Sequence, residues 1–122
     1  MSKYQDCRWR YVFPNLHIGA IVLIVKTGYS QGAAVMTASV RRLSTAVKNK
    51  IAGVVLYGNT RNAQTGGKIP DFDRAKSQTY CDFGDGVCLG TLIVTAAHLT
   101  YADDVPAAAR YLENRIAIAG GI

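Results

Sequence analysis

The fold turns on one stretch: Ala20-Ile21-Val22-Leu23-Ile24-Val25, then Lys26-Thr27, then Gly28-Tyr29-Ser30-Gln31-Gly32, with Met36, Val40, Leu43 and Val47 downstream. The opening run is apolar, rich in β-branched residues and without alternation, which predicts a fully buried strand over 20–25. Gly28–Gly32 reads as a tight turn. The apolar residues that follow recur at i, i+4, i+7 and i+11, with Arg41, Arg42, Ser44 and Lys48 between them, and predict one amphipathic helix. Further on, Ile51–Tyr57 reads as a second buried strand, Gly58–Phe72 as a long loop and 78–81 as a shorter strand. Residues 89–101 are ambiguous between short helix and loop. Apolar residues at 105, 108, 109, 112, 116 and 119 predict a closing helix ended by Gly120-Gly121. Buried strands alternating with helices give an α/β fold, a parallel sheet with flanking helices.

A chain of 122 residues makes one domain of ordinary size. With 49% apolar and 18% charged residues it is not a disordered tail, a collagen-like chain or a coiled coil. The net charge of +6 comes from scattered basic residues with few interleaved aromatics, so no nucleic-acid partner is expected. The longest apolar stretch, Ile18–Val25, is far short of the roughly twenty residues a membrane-spanning helix needs, so no transmembrane segment is expected. Lys3, Arg8 and Arg10 make a charged start, but no small-x-small cleavage site follows, so no export signal is read.

Cys81 and Cys88 bracket a short loop, and Cys7 stands far away. Six intervening residues is not a zinc spacing, and only His17 and His98 could add ligands. A local Cys81–Cys88 disulfide is read in preference to free thiols. It would stabilise by about 2.5 kcal/mol in the chain-entropy view and stiffen the loop. It also implies an oxidising compartment.

Gly-x-Ser-x-Gly alone is a common turn; its place between strand and helix gives it a chemical reading. A serine whose Oγ projects from the top of a sheet sits on a sharp, strained turn. The residues two before and two after are read as crowded enough to require Gly28 and Gly32. The following helix aims its first N–H groups at the site and favours negative charge there. A serine nucleophile needs a base, and the base needs an orienting carboxylate. His17 precedes the serine and reads as structural or surface. His98 follows it, and on a doubly wound sheet the order serine, acid, histidine selects His98. The acid then lies among Asp71, Asp73, Asp82 and Asp85. The first pair sits in a polar loop with no strand ahead, the second just past a strand in the Cys-bracketed loop. Asp85, flanked by Gly84 and Gly86, has the backbone freedom to point inward.

From Gly28 to Tyr101 these blocks resemble the fungal cutinases, small serine esterases of the α/β-hydrolase class. The matching pieces are Gly28-Tyr29-Ser30-Gln31-Gly32-Ala33-Ala34 and Ile51-Ala52-Gly53-Val54-Val55-Leu56-Tyr57-Gly58. Gly67-Lys68-Ile69-Pro70 and Cys81-x-x-Gly84-Asp85-x-Val87-Cys88 follow, then Gly90-Thr91-Leu92-Ile93-Val94-x-Ala96-x-His98-Leu99-x-Tyr101. The resemblance implies Ser30 as nucleophile, Asp85 as orienting acid, His98 as base and Cys81–Cys88 as the disulfide beside the acid. It implies the Gln31 backbone N–H as one oxyanion donor, and Ile93, Val94 and Leu99 as an apolar rim that meets polyester or lipid. The plain alternative is that Ile93 and Val94 are core. The implied function is hydrolysis of carboxylic esters, cutin polyester foremost, through an acyl-enzyme, by a secreted monomer without metal or organic cofactor. The alternatives are an acetylxylan-type carbohydrate esterase, which shares the Gly-Tyr-Ser-Gln-Gly elbow, and a non-catalytic remnant of a cutinase.

Residues 1–26 show no match to the family. The chain therefore reads as one domain over 1–122: a divergent segment 1–26 and a cutinase-like core 27–122, with the fold incomplete at its N-terminus. The family's earlier strands, second oxyanion donor and one cysteine of a second disulfide belong to the part expected to be missing, and Cys7 is read as having no partner. Losing one oxyanion donor costs about 3–4 kcal/mol in the acyl-transfer barrier, so weak or no esterase activity is expected. Lys26 stands where the family is apolar, and a lysine buried without a counter-ion is costly.

Overall fold

The computed structural model describes residues 23–120. Expectations that rest on Lys3, Cys7, Arg8, Arg10, His17, the stretch 18–22 and Gly121 lie outside the described residues. Strands β1 (Ile24–Tyr29), β2 (Ile51–Tyr57) and β3 (Ser77–Tyr80) form a parallel sheet in the order β1-β2-β3. Helices α1 (Gln31–Arg41), α2 (Thr45–Lys50), α3 (Asn62–Thr65) and α4 (Val105–Gly120) connect and cover them. The stretch 89–101 that the sequence left ambiguous holds the 3₁₀ turn Ala96–Leu99, with the turns Gly86–Leu89 and Tyr101–Asp104 at its two ends.

β2 is the buried strand. Ile51, Ala52, Val54, Val55 and Leu56 are all fully buried, because α1 covers one face of β2 and α4 the other. Under α1, Ala33 and Val40 pack with Ile51, Val54, Leu56 and Ile69, joined by Ile24, Met36, Leu43 and Phe72. On the opposite face, Leu112 and Arg115 of α4 lie against Gly53, and Arg115 Nε donates to the Ala52 carbonyl at 3.2 Å.

Of the fully buried strand expected over 20–25, residues 20–22 lie outside the described residues; Ile24 and Val25 belong to a strand that runs past the expected end and is only partly buried. β1 runs from Ile24 to Tyr29 because its ladder with β2 continues to the pair Tyr29–Tyr57, so Lys26-Thr27-Gly28 extends the strand. Its burial alternates, since β2 is its one partner among the described residues and α4 sits over β2. Val25 and Tyr29, on the α4 side, remain 42% and 45% exposed. Lys26 is half-buried, so the expected charge sealed in the sheet does not arise.

The single helix expected through Val47 is broken. α1 ends at Arg41 and Ser44 caps α2, its hydroxyl accepting the Val47 N–H at 3.3 Å. A serine offers the backbone this alternative to a continuous helix. α4 exists as expected, but its inward row is Ala108, Tyr111, Leu112 and Arg115. Val105, Ala109, Ile116 and Ala119 stay exposed because, among the described residues, the helix packs chiefly on β2.

One polar tie crosses the core. Asn59, 1% exposed, follows β2 and donates to Thr37 Oγ1 on α1 at 3.2 Å; its Oδ1 accepts the Arg61 N–H at 2.9 Å, and Thr37 Oγ1 donates to the Ala33 carbonyl at 2.9 Å. Asn59→Ala takes the partner from the Arg61 N–H and the donor from Thr37 Oγ1. It is expected to destabilise the fold by about 1–3 kcal/mol, read as a lower urea midpoint with an unchanged slope.

Candidate active site

All three strands end on one edge of the sheet, and the residues just beyond them meet there. In parallel α/β sheets this carboxyl edge is where ligands bind. β1 hands directly to Ser30, whose backbone sits at φ 59°, ψ −121°. The Ser30 N–H donates to the Tyr57 carbonyl at 2.9 Å, and the Ser30 carbonyl accepts from Ala33 and Ala34 as α1 begins. A Cβ on Gly28 would lie 2.8 Å from the Gly32 carbonyl and 2.9 Å from Ala33 Cα, so the turn requires glycine there. The reading of Gly32 as equally crowded is corrected: a Cβ at Gly32 meets nothing within 4 Å. Gly32 instead faces an open cleft.

His98, 3% exposed, is carried by the turn Ala96–Leu99. Its Nε2 lies 2.9 Å from Ser30 Oγ and its Nδ1 2.8 Å from Asp85 Oδ2. With a carboxylate at Nδ1, the proton sits on Nδ1 and Nε2 accepts from the serine hydroxyl. Asp85, 2% exposed, begins the turn Gly86–Leu89, and its Oδ1 accepts the Val87 N–H at 3.0 Å. The Cys81–Cys88 disulfide closes this loop, with Cys88 Sγ 3.7 Å from Asp85 Oδ2. Burial pushes the Asp85 carboxyl up, but hydrogen bonds from Tyr101, His98 and the Val87 N–H outweigh it. The net result holds Asp85 below the usual carboxylate range. The other acids compete poorly: Asp71 and Asp73 are exposed, Asp73 caps its own turn through the Ala75 N–H, and Asp82 accepts from Thr100.

Sequence reasoning missed three residues. Tyr101 donates its hydroxyl to Asp85 Oδ2 at 2.5 Å and accepts the Asp82 N–H at 3.1 Å. Tyr29 donates to the His98 carbonyl at 2.6 Å and stacks on the imidazole with centroids 5.1 Å apart. Gly58 (φ 53°) leaves space for the cluster: a Cβ there would lie 2.9 Å from Tyr101, 3.0 Å from Asp85 and 3.0 Å from His98. The available signal was position, because Tyr29 and Gly58 stand at the carboxyl ends of β1 and β2.

A cleft of about 410 Å³ opens beside Ser30, lined by Tyr29, Gln31, Gly32, Thr60, Leu92 and Val94, among others. Gln31 is the first residue of α1, where backbone N–H groups lack intrahelical partners. No acidic residue occupies that first turn. Ile93 and Val94 are not core: they are 67% and 61% exposed, with Leu92 and Leu99 exposed beside them in the chain. Val94 borders the cleft, and Ile93 is not among its lining residues. The arrangement can take a proton from a serine hydroxyl, stabilise the resulting imidazolium, and present N–H dipoles to a developing anion.

The comparisons with known proteins point the same way. The Cutinase family profile matches residues 22–116. The chain is 47% identical over 95 residues to probable cutinase 5 of Aspergillus terreus, covering 78% of this chain and 43% of that protein. It is 46% identical over 99 residues to cutinase 2 of Fusarium vanettenii, covering 80% and 43%. It superposes on Trichoderma reesei cutinase, solved in complex with a phosphonate inhibitor, with a TM-score of 0.71 and 33% identity, over 93% of this chain and 48% of that one. A cutinase-like protein from Cryptococcus sp. shares the fold, with a TM-score of 0.64 at 23% identity, covering 96% and 67%. The chain thus spans 43% of the length of those two curated relatives. Its parallel sheet, with helices on both faces, is part of the α/β-hydrolase fold. With its profile match running from the end of the described N-terminal side almost to the close of α4, the chain belongs to the cutinase family.

Proposed function

We propose that this chain carries the acyl-transfer chemistry of a serine esterase, with Ser30 as nucleophile, His98 as general base and Asp85 as the acid that orients it. The observation that carries the reading is the continuous hydrogen-bonded path from Ser30 Oγ through both ring nitrogens of His98 to a buried carboxylate. His98 Nε2 takes the hydroxyl proton as Ser30 Oγ attacks the ester carbonyl carbon. The carbonyl π pair moves to oxygen, and the Gln31 N–H at the start of α1 donates to that oxyanion. Collapse expels the alcohol, which takes its proton from His98, and leaves an acyl-serine. Water, deprotonated by the same imidazole, then releases the carboxylic acid and restores Ser30.

The substrate in this reading is an ester with an apolar acyl chain, cutin polyester foremost. The exposed Leu92, Ile93, Val94 and Leu99 offer an apolar surface, and Leu92 and Val94 border the cleft. That border favours an apolar ester over acetylated xylan, the second reading. Among the described residues no helix is long and apolar enough to cross a membrane. The disulfide supports work in an oxidising, extracellular setting. The reading includes a monomer and one cutinase-like domain.

A fluorophosphonate probe tests the chemistry, because only an activated serine reacts. The folded chain is expected to label at one site, Ser30→Ala not at all, and Asp85→Asn about a thousandfold or more slowly. A well-folded chain that stays unlabelled excludes the activated serine and leaves the non-catalytic reading. Among the substrates, tributyrin is expected to turn over faster than acetylxylan. Asp85 is expected to add no step to the pH dependence of labelling within the usual carboxylate range, because its partners keep it ionised there. Gly58→Ala, which pushes into Tyr101, Asp85 and His98 together, is expected to slow labelling about a hundredfold. The same assay reads it.

A further inference from the structure

The Asp85 carboxylate has more partners than an orienting acid needs. Oδ1 is taken by the Val87 N–H and Oδ2 by His98 Nδ1, yet Oδ2 also receives the Tyr101 hydroxyl at 2.5 Å. Tyr101 is 6% exposed, and its oxygen is fixed from behind by the Asp82 N–H at 3.1 Å. That oxygen cannot swing away without orphaning an amide. The ring is held as well: Tyr29 and Tyr57 meet it edge-on, at centroid distances of 6.0 and 5.9 Å, and His98 stands perpendicular to it at 6.2 Å. Gly58 supplies the space that lets the ring lie there.

We propose that Tyr101 is a positioning residue of the Ser30–His98–Asp85 system, a fourth hydrogen-bonded member that locks the carboxylate toward His98 and limits its basicity. The proposal rests on the esterase reading. Two donors on one oxygen divide its electron density. A carboxylate that also accepts a phenol proton holds the imidazolium less tightly than one that answers to His98 alone. Without the phenol, Asp85 would answer to the protonated imidazole alone, and that pair would tighten. The phenol keeps its own proton, since burial and then the hydrogen bond to Asp85 push it above the usual range.

The groups that face Tyr101 define the controls. Asp85, His98, Tyr29 and Tyr57 surround the ring and hydroxyl, Asp82 stands behind it, and Asp103 and Asp104 share its turn. Asp104 is pushed up to about 6, first by a hydrogen bond to Asp82 and then by burial. Its own ionisation would overlay the acid limb of the pH profile, so Asp104→Asn serves as the common background.

The experiment measures the fluorophosphonate labelling rate against pH for Tyr101→Phe and for the unaltered tyrosine, both in that background. The Phe variant is expected to label about tenfold more slowly at neutral pH, with its acid midpoint moved upward and its thermal midpoint within a few degrees. A role confined to packing would lower the thermal midpoint and leave the pH midpoint in place, which overturns the proposal. Identical rates and midpoints overturn it as well. If the Phe variant does not fold, 3-fluorotyrosine placed at 101 keeps ring and hydroxyl but makes the phenol a stronger donor. Its midpoint is expected to move downward, and an unmoved midpoint refutes the idea. Absence of labelling in the unaltered chain would instead remove the esterase reading, so the two failures are distinguishable.

Discussion

The constraint on which the rest depends is the backbone of Ser30, held at φ 59°, ψ −121°. A serine in such a region costs about 1–3 kcal/mol, and it persists only where the surroundings leave no alternative. Here the surroundings are two elements, not a loop. β1 is locked to β2 up to Tyr29, and the Ser30 N–H continues that ladder by reaching the Tyr57 carbonyl. One residue later α1 begins, and its buried Ala33 and Val40 press onto Val54 and Leu56. Burying side chains of this size contributes about 1.5–3 kcal/mol each for the larger ones, enough to offset the strain. The serine is thus aimed by the packing of the helix onto the sheet, with Gly28 as the point where strand and helix come too close for any side chain.

His98 and Asp85 have no such scaffold. Both sit on 3₁₀ turns, which hold geometry poorly by themselves. Their placement comes from cross-ties. The disulfide closes the acid's loop, and Asp85 caps the turn it begins. Thr91 Oγ1 donates to the Gly86 carbonyl at 2.7 Å and Thr95 Oγ1 to the Gly84 carbonyl at 2.9 Å, which binds the acid's loop to the segment leading to His98. Tyr29 then fastens the His98 carbonyl back to the end of β1. The nucleophile half is secured by hydrophobic burial, the base and acid half by hydrogen bonds and one covalent link.

This division explains what was legible in the sequence. The elbow, β2 and α4 leave periodic or steric marks, so their existence could be read, and the order of residues selected Ser30, Asp85 and His98 as candidates that the fold brings together. What failed were features decided by neighbours at a distance. The end of β1 depends on how far its ladder with β2 runs, to Tyr29, and not on where the apolar run stops at Val25. The break before α2 depends on Ser44 choosing the Val47 amide over the helix. The stripe on α4 narrows because, among the described residues, β2 is the strand it packs on. Gly58 left only its position after β2, and Tyr101 left no local signal, because each acquires its role only when the ends of β2 and β3 and the turn after His98 converge.

The three strands add one device that only their register discloses. Tyr29, Tyr57 and Tyr80 are the last residues of β1, β2 and β3 and stand opposite one another across the ladder. Tyr57 and Tyr80 stack with centroids 5.6 Å apart, Tyr101 meets both Tyr57 and Tyr29 edge-on, and Tyr29 stacks on His98. The result is a continuous aromatic floor beneath the imidazole and carboxylate, each such contact adding about 0.5–1.5 kcal/mol beyond the area it buries. Phenylalanine would give the same floor without hydroxyls, yet the two rings that touch His98 both use theirs, one on a carbonyl and one on a carboxylate. Tyrosine lets one side chain exclude water from the imidazole and carboxylate and still satisfy a polar atom there. That is the requirement of a site whose acid must stay ionised while buried.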